Sequence, residues 1–159
     1  MPDMLVRLGR RWRAFTRLTW AERRFLVEAA LLLPAVALAL RLAGFQRVQA
    51  TMTRTRVAQR AALDGRTPSA ATIAYLVAVA SRYTLGRPRC LPQALVLWSA
   101  LRRQGRAAEL RIGVRKQDDQ IEAHAWVECD GAVFDVAGGG YKRFSPFEGP
   151  PIAGQRGIS

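Results

Sequence analysis

The sequence predicts an α+β fold in which a layer of helices precedes a small antiparallel sheet. Two observations support this prediction. Up to residue 104 the apolar residues recur mainly at helical spacing, whereas from residue 108 they alternate over short segments, as in half-buried strands. The chain has 159 residues, 50% of them hydrophobic, which suits one domain with a core of useful size. We therefore expect one compact domain in which the helices pack on the sheet.

The N-terminal region is predicted to be helical, basic and in part strongly apolar. Residues 4–18 mix apolar side chains with arginines in the pattern of a basic amphipathic helix. Thr19 and Glu22 form a capping-box pattern that opens a second, very apolar helix. Its uncharged stretch, residues 29–40, is much shorter than the roughly 20 residues that span a membrane. We therefore expect a buried core helix kinked at Pro34, with membrane association as the less favoured alternative.

Further helices are predicted before the sheet. Gly44 ends the apolar helix, and residues 48–63 form the next one. Thr67 followed by Pro68 is the predicted start of a helix that ends near Arg82. Apolar residues of that helix should cover the last helix of the chain; these are Ile73, Leu76, Val77, Val79 and Ala80.

Cys90 occupies the start of the last predicted helix. It begins an apolar run, and Pro92 suits a first helical turn. Gly105 ends this helix. The helix dipole and the free N–H groups of a first turn favour an anion such as a thiolate. A buried thiol with only a packing role is the alternative for a cysteine in this position.

The single histidine, His124, lies on a predicted hairpin near an aspartate. Residues 121–129 alternate as a strand, Asp130-Gly131 is a two-residue turn, and residues 132–136 form the partner strand. This register pairs Trp126 with Asp135 and places the Asp135 carboxylate diagonally beside His124. Glu128 is the alternative acid, but it lies two residues along the strand and points past the ring.

Cys90, His124 and Asp135 therefore follow one another in the order of a Cys-His-Asp triad. The thiolate would attack a carbonyl, the imidazole would move the proton, and the carboxylate would fix the tautomer of the ring. The backbone N–H of Cys90 would be an oxyanion donor. For His124 alone, a satisfied half-buried ring is the alternative, but the three residues together favour catalysis.

Residues 83–141 resemble the transglutaminase-like cysteine proteases of lasso-peptide maturation, the B or B2 leader peptidases. The matching segments are Arg89-Cys90-Leu91-Pro92-Gln93-Ala94-Leu95, Leu101-Arg102-Arg103-Gln104-Gly105, Leu110-Arg111-Ile112-Gly113-Val114 and Ala123-His124-Ala125-Trp126-Val127-Glu128. The resemblance implies a transglutaminase-like or papain-like core, in which a nucleophile helix packs on a small antiparallel sheet behind an N-terminal helical layer. On this basis we divide the chain into a helical region (1–66), a catalytic core (67–145) and a C-terminal loop or tail (146–159).

The resemblance also implies a function and partners. The protein would cleave the leader from a ribosomally made precursor peptide, and a separate ATP-dependent cyclase would close the freed core peptide into a macrolactam. A small leader-recognition protein, the B1-type partner, should be separate, because residues 1–60 show no alternating strands from which such a domain is built. The Arg-rich, apolar N-terminal helices are its expected docking surface, with Arg10, Arg11 and Arg13 among the contacts.

Composition bears on nucleic-acid binding, on metal or cofactor use and on the localisation of the protein. The net charge is +13, and most of it lies in residues 1–60, where twelve arginines face three acidic residues. No nucleic-acid motif accompanies this charge, so no nucleic-acid partner is expected. We expect no metal site and no cofactor, since the chain has neither a CxxC pair nor a His cluster. Two cysteines and no secretory signal suggest a cytoplasmic protein, with membrane association as an alternative.

Two rival functions use the same residues differently. A transglutaminase or amidase would direct the same triad at a glutamine side chain. A non-enzymatic basic adaptor for a membrane or a protein partner would keep Cys90 as a core thiol.

Overall fold

A computed structural model describes residues 18–54, 68–84, 90–117, 119–138 and 140–146, with the fold class that the sequence predicts. The described helices are α1 (Trp20–Ala43), α2 (Phe45–Arg54), α3 (Ala70–Tyr83) and α4 (Cys90–Arg103). The strands are β1 (Ala108–Gln117), β2 (Gln120–Cys129), β3 (Ala132–Phe134) and β4 (Ser145–Pro146), with a 3-10 turn at Tyr141–Arg143. They form one antiparallel sheet in the order β3-β2-β1-β4.

Side chains fix the starts of α1 and α3. The Thr19 hydroxyl accepts from the Glu22 N–H at 3.3 Å, and the Glu22 carboxylate accepts from the Thr19 N–H at 2.7 Å, which confirms the predicted capping box. The start predicted for α3 is wrong: Ser69 is the N-cap, and its hydroxyl accepts from the Thr72 N–H at 3.1 Å. A serine hydroxyl caps as well as a threonine hydroxyl does, so the sequence pattern alone did not choose between the two positions.

The core is built around α4. Ten consecutive residues of this helix, from Pro92 to Leu101, are buried, and the helix packs against α1, α3 and one face of the sheet. The Trp98 indole N–H donates to the Ala108 carbonyl at 3.1 Å, which fastens α4 to β1. The largest fully buried side chains are Leu33, Ile73, Leu76, Val77, Leu95, Val96, Leu97, Leu101 and Val127. The helical layer and the sheet therefore share one core, in which α4 is the central element.

The helix α1 is buried along one side only, which corrects the expectation of a buried core helix. Ala29, Leu33 and Val36 face the core, while the opposite side is exposed. By length and composition α1 could cross a membrane, and only 17% of its most apolar stretch is buried within the protein. The predicted helix at residues 4–18 lies almost wholly outside the described residues, as does the end of the helix predicted at 48–63.

The β2–β3 hairpin has the predicted turn. Asp130 and Gly131 both have positive φ, 52° and 77°, as a two-residue turn of the primed type requires. Cys129 pairs with Ala132 and Val127 with Phe134, so the predicted register is confirmed up to the end of β3. From Tyr141 onward the sequence is rich in glycine and proline and reads as a loop, but in the described part β4 pairs with β1 and Phe144 is buried. Residues 147–159 of the predicted tail lie outside the described residues.

Candidate active site

The candidate site lies at an edge of β2 that β3 leaves open. A two-residue loop joins β1 to β2, so Gln117 and Gln120 form a hydrogen-bonded pair and such pairs recur at alternate positions. Ala123 and Val114 form a non-hydrogen-bonded pair of this ladder. The carbonyl of Ala123 therefore points away from β1. On that side β3 ends at Phe134. Among the described strands, none covers this edge of β2 around Ala123.

Cys90 meets β2 at this open edge. It is the first residue of α4, and its Sγ lies 3.9 Å from the Ala123 carbonyl oxygen. Cys90 is a free cysteine and is partly exposed to solvent. The packing of α4 on the sheet thus brings a thiol at a helix start to the residue that directly precedes His124, although the two lie far apart in the chain.

His124 and Asp135 are in direct contact. The His124 Nε2 lies 2.8 Å from the Asp135 Oδ1, and both side chains are largely buried. A neutral imidazole that donates its Nε2 proton to a carboxylate keeps its lone pair on Nδ1. The second ring nitrogen is then the one available to accept a proton from a thiol or a water molecule. The pair is the one expected from the hairpin register, although β3 itself ends one residue before Asp135.

A turn after β3 holds the other oxygen of Asp135. Its Oδ2 accepts from the backbone N–H of Gly140 at 2.8 Å and of Tyr141 at 3.1 Å. Gly140 has a φ of 71°, a backbone conformation that favours glycine. Hydrogen bonds from N–H groups to a carboxylate are stronger than those between neutral groups. The glycine-rich segment after Asp135 therefore fixes the carboxylate whose other oxygen faces His124.

Aromatic rings enclose His124 on the face of the sheet opposite α4. The rings of His124 and Phe144 have centroids 5.0 Å apart, and those of His124 and Trp126 are 6.2 Å apart. Tyr141 lies 5.9 Å from Trp126, also between centroids. Trp126 is only 2% exposed, so it is a core aromatic residue.

Sequence reasoning missed the contributions of Gly140, Tyr141 and Phe144. They follow the β2–β3 hairpin in a segment whose glycines and prolines read only as a loop. The aromatic residues spaced along that loop were the available signal, since loops without a core role seldom carry several large rings.

The alternative acid and the second cysteine have other partners. The Glu128 carboxylate accepts from the Arg111 guanidinium and from the Trp126 indole, both at 3.1 Å, so it is engaged away from His124. Cys129 is a free, buried thiol at the far end of β2. Burial and the neighbouring Asp130 carboxylate raise the pKa of Cys129 to about 11.

Residues 30–148 match the model of the transglutaminase-like superfamily, a segment that contains Cys90, His124 and Asp135. The chain belongs to the transglutaminase-like superfamily. This superfamily contains cysteine proteases and acyltransferases, so the chemistry is of the kind found in papain-like cysteine hydrolases and transglutaminases. Comparisons with curated proteins and with solved structures gave no match. Within the described ranges, no group of three or more His, Cys, Asp and Glu side chains could hold a metal ion.

Proposed function

We propose that this member of the transglutaminase-like superfamily is a cysteine peptidase that removes the leader from a lasso-peptide precursor. The observation that carries the proposal is the 2.8 Å contact between His124 Nε2 and Asp135 Oδ1. Cys90 opens a helix, and its Sγ lies 3.9 Å from the carbonyl oxygen of Ala123, the residue before His124. Membership of the superfamily supports cysteine-based acyl chemistry. The choice of a lasso leader rests on the resemblance of the four sequence segments quoted above.

Acylation would begin at the Cys90 thiol. As Sγ bonds to the scissile carbonyl carbon, the thiol proton passes to His124 Nδ1, and the carbonyl π electrons move onto oxygen. The Cys90 backbone N–H belongs to the first helical turn, where such groups have no partner in the helix, and it would donate to that oxyanion. The intermediate then expels the amine of the core peptide, which takes the proton from His124, and an acyl-thioester on Cys90 remains.

Deacylation would reuse the same groups. A water molecule gives its proton to His124 Nδ1 while its oxygen bonds to the thioester carbon. The C–S bond breaks, the sulfur recovers the proton, and the leader leaves with a new carboxylate. In both halves Asp135 would orient the ring and stabilise the imidazolium without taking its proton.

The proposed partners follow from this substrate. The precursor peptide is held by a separate leader-recognition protein, and the freed core amine passes to a separate cyclase. We propose a cytoplasmic reaction in which the peptidase acts before cyclisation.

Mass spectrometry of the products tests the proposal. The precursor is incubated with the wild-type protein and with Cys90→Ala, and hydrolysis should yield two fragments whose summed mass exceeds that of the precursor by one water. Cys129→Ala is the matched control, since it removes the other thiol and should leave the fragments unchanged. Intact precursor in the presence of folded wild-type protein and the recognition protein would contradict the proposal.

The same assay tests the transglutaminase or amidase alternative. A cross-link between a glutamine and an amine loses ammonia, and deamidation replaces an amide by a carboxyl group; neither produces fragments. The adaptor alternative is tested by alkylation with iodoacetamide at neutral pH. The partly exposed Cys90 should react much faster than Cys129, whose burial and raised pKa keep it protonated. Equal, slow labelling of both thiols would favour the adaptor.

A further inference from the structure

The side of α1 that faces away from the core carries a continuous apolar ridge. Its side chains recur at intervals that return to one line along a helix, and several are more than half exposed. They are Trp20 (75% exposed), Val27 (54%), Leu31 (69%), Leu38 (56%) and Leu42 (79%). Pro34 and Ala35 lie on the same line and are also exposed. From Trp20 to Leu42 the ridge is about 33 Å long.

Arginines lie at both ends of this ridge. The Arg24 guanidinium is 5.9 Å from the centre of the Trp20 ring, and Arg41 is exposed at the other end. Between them the exposed line holds no charged residue. Exposed apolar surface of this extent marks a binding surface rather than ordinary solvent-facing protein. An aliphatic face with tryptophan and arginine at its ends is typical of helices that lie in the interfacial region of a bilayer.

We propose that this ridge of α1 docks on a membrane that contains anionic lipid, with the helix lying in the plane of the surface. Charge favours an anionic membrane as the partner of the ridge, because the protein carries a net charge of +13 and twelve arginines within residues 1–60. A second copy of the chain would bring the same charge and be repelled. An anionic surface attracts each nearby arginine and leaves the aliphatic side chains to enter the headgroup boundary.

The rest of α1 excludes a spanning orientation. Ala29, Leu33 and Val36, on the side opposite the ridge, are buried in the protein core. Glu28 of this helix, directly before the uncharged stretch 29–40, forms an ion pair with Arg103 of α4 at 2.6 Å. A spanning helix would have to give up this packing and place the carboxylate in hydrocarbon, which is costly. The ridge can enter the interface while the other side stays on the domain.

Co-sedimentation with vesicles tests this inference and is independent of the peptidase proposal. One set of vesicles contains equal parts of phosphatidylglycerol and phosphatidylcholine, and the other contains phosphatidylcholine alone. The ridge variant is Leu31→Glu with Leu38→Glu. The matched control is Ile121→Glu with Val133→Glu, which changes the charge equally on exposed apolar residues of the sheet. Circular dichroism and the rate of Cys90 alkylation check that both variants keep the fold.

The wild-type protein should bind the anionic vesicles, and the control should bind them equally. The ridge variant should bind at least about tenfold more weakly, since it loses two leucine side chains from the apolar contact. Absence of wild-type binding would overturn the inference, and so would equal binding by the ridge variant. The inference would also be overturned if the wild-type protein does not bind vesicles but forms a soluble dimer, or a complex with the recognition protein, through the ridge. The ridge variant would then abolish that complex while the control variant keeps it, and the ridge would be assigned to that partner.

Discussion

The Trp126 ring occupies the space on the sheet that a side chain at Gly113 would need. Gly113 pairs with His124 across the β1–β2 ladder, and a Cβ atom at Gly113 would lie 2.8 Å from the end of the Trp126 ring. The same atom would lie 2.9 Å from Cβ of Phe144, whose ring packs against His124. Glycine at this position therefore lets the two aromatic side chains close over β1 directly beside the histidine. The segment Leu110-Arg111-Ile112-Gly113-Val114 thus contributes to the site because its glycine has no side chain.

Gly113→Ala should disturb the site without unfolding the protein. The added methyl group meets buried rings that cannot move freely, and overpacking of this kind costs about 1–3 kcal/mol. We expect a lower free energy of unfolding in urea and a clear loss of turnover. Combining Gly113→Ala with Trp126→Leu, which removes the nearest atoms, should cost less than the sum of the two single changes. Strict additivity would show that the two residues do not compete for this space.

Asp135→Asn should lower turnover by roughly 10³–10⁴-fold while the protein stays folded. Two backbone N–H groups donate to Oδ2, so the amide oxygen of asparagine must take that position. The amide NH₂ group then faces His124 Nε2, which can only accept. The ring is forced to carry its proton on Nδ1, the wrong nitrogen for removing a proton from Cys90.

Steady-state kinetics and a binding assay with the precursor check this change. Binding should persist, because Asp135 orients the ring and is not expected to contact the leader. Glu128→Gln is the control, since Glu128 bonds Arg111 and Trp126 and should affect turnover little. A greater loss in Glu128→Gln than in Asp135→Asn would reverse the assignment of the acid.

The sequence predicts the part of the site that local rules determine. The Asp130-Gly131 turn fixes the hairpin register, and the register brings Asp135 to His124 within eleven residues. Pro92 and Gly105 bracket the helix that begins at Cys90. The contact between Cys90 and Ala123 depends on how α4 packs on the sheet, which involves residues far apart in the chain. In the sequence, only the order Cys, His, Asp indicated that these segments would lie close together.

The sequence does not predict the backbone N–H groups that bind Asp135, because their position depends on how the chain turns after β3. Gly140 adopts a left-handed conformation there, and this turns the backbone N–H groups toward Asp135. A run of glycines permits many such paths, so composition does not select one. The exposed side of α1 was missed for a related reason. Apart from Glu28, residues 25–40 are uncharged on every side of the helix, and periodicity cannot say which side packs when both sides are hydrophobic.

The stability of the protein should fall at alkaline pH through Cys129. Its pKa rises from an ordinary 9.0 to about 11 in the fold, so the folded state favours the protonated thiol. The contribution to stability is complete below about pH 9 and is lost as the pH rises toward 11, because the unfolded chain releases the proton first. Urea unfolding at several pH values should show a loss of about 2 kcal/mol from this group. Cys129→Ala should flatten that part of the profile, and an unchanged slope would exclude the thiol as its source.

Leader cleavage should depend on the separate recognition protein. A partner that binds both the leader and the peptidase raises the effective concentration of the cleavage site, so its addition should accelerate cleavage. Arg10, Arg11 and Arg13, the expected docking residues, lie outside the described residues, and reversing their charge should weaken the acceleration. Cys90 alkylation is the control and should not change. Full activity of the chain alone, insensitive to the partner, would mean that leader capture is built into this protein.

Cys90 and His124 should act as one catalytic unit. The imidazole is useful only as the proton acceptor and donor for the thiol, and the thiol attacks only when its proton is removed. Cys90→Ala and His124→Ala should therefore each abolish cleavage, and the double variant should be scarcely worse than either single one. Rates measured on folded variants with excess precursor check this, and circular dichroism confirms the fold, since His124 is buried and its loss leaves a gap beside Phe144. A His124→Ala variant that retains most of the activity would leave the Cys90 thiol without its proposed base and would contradict the mechanism.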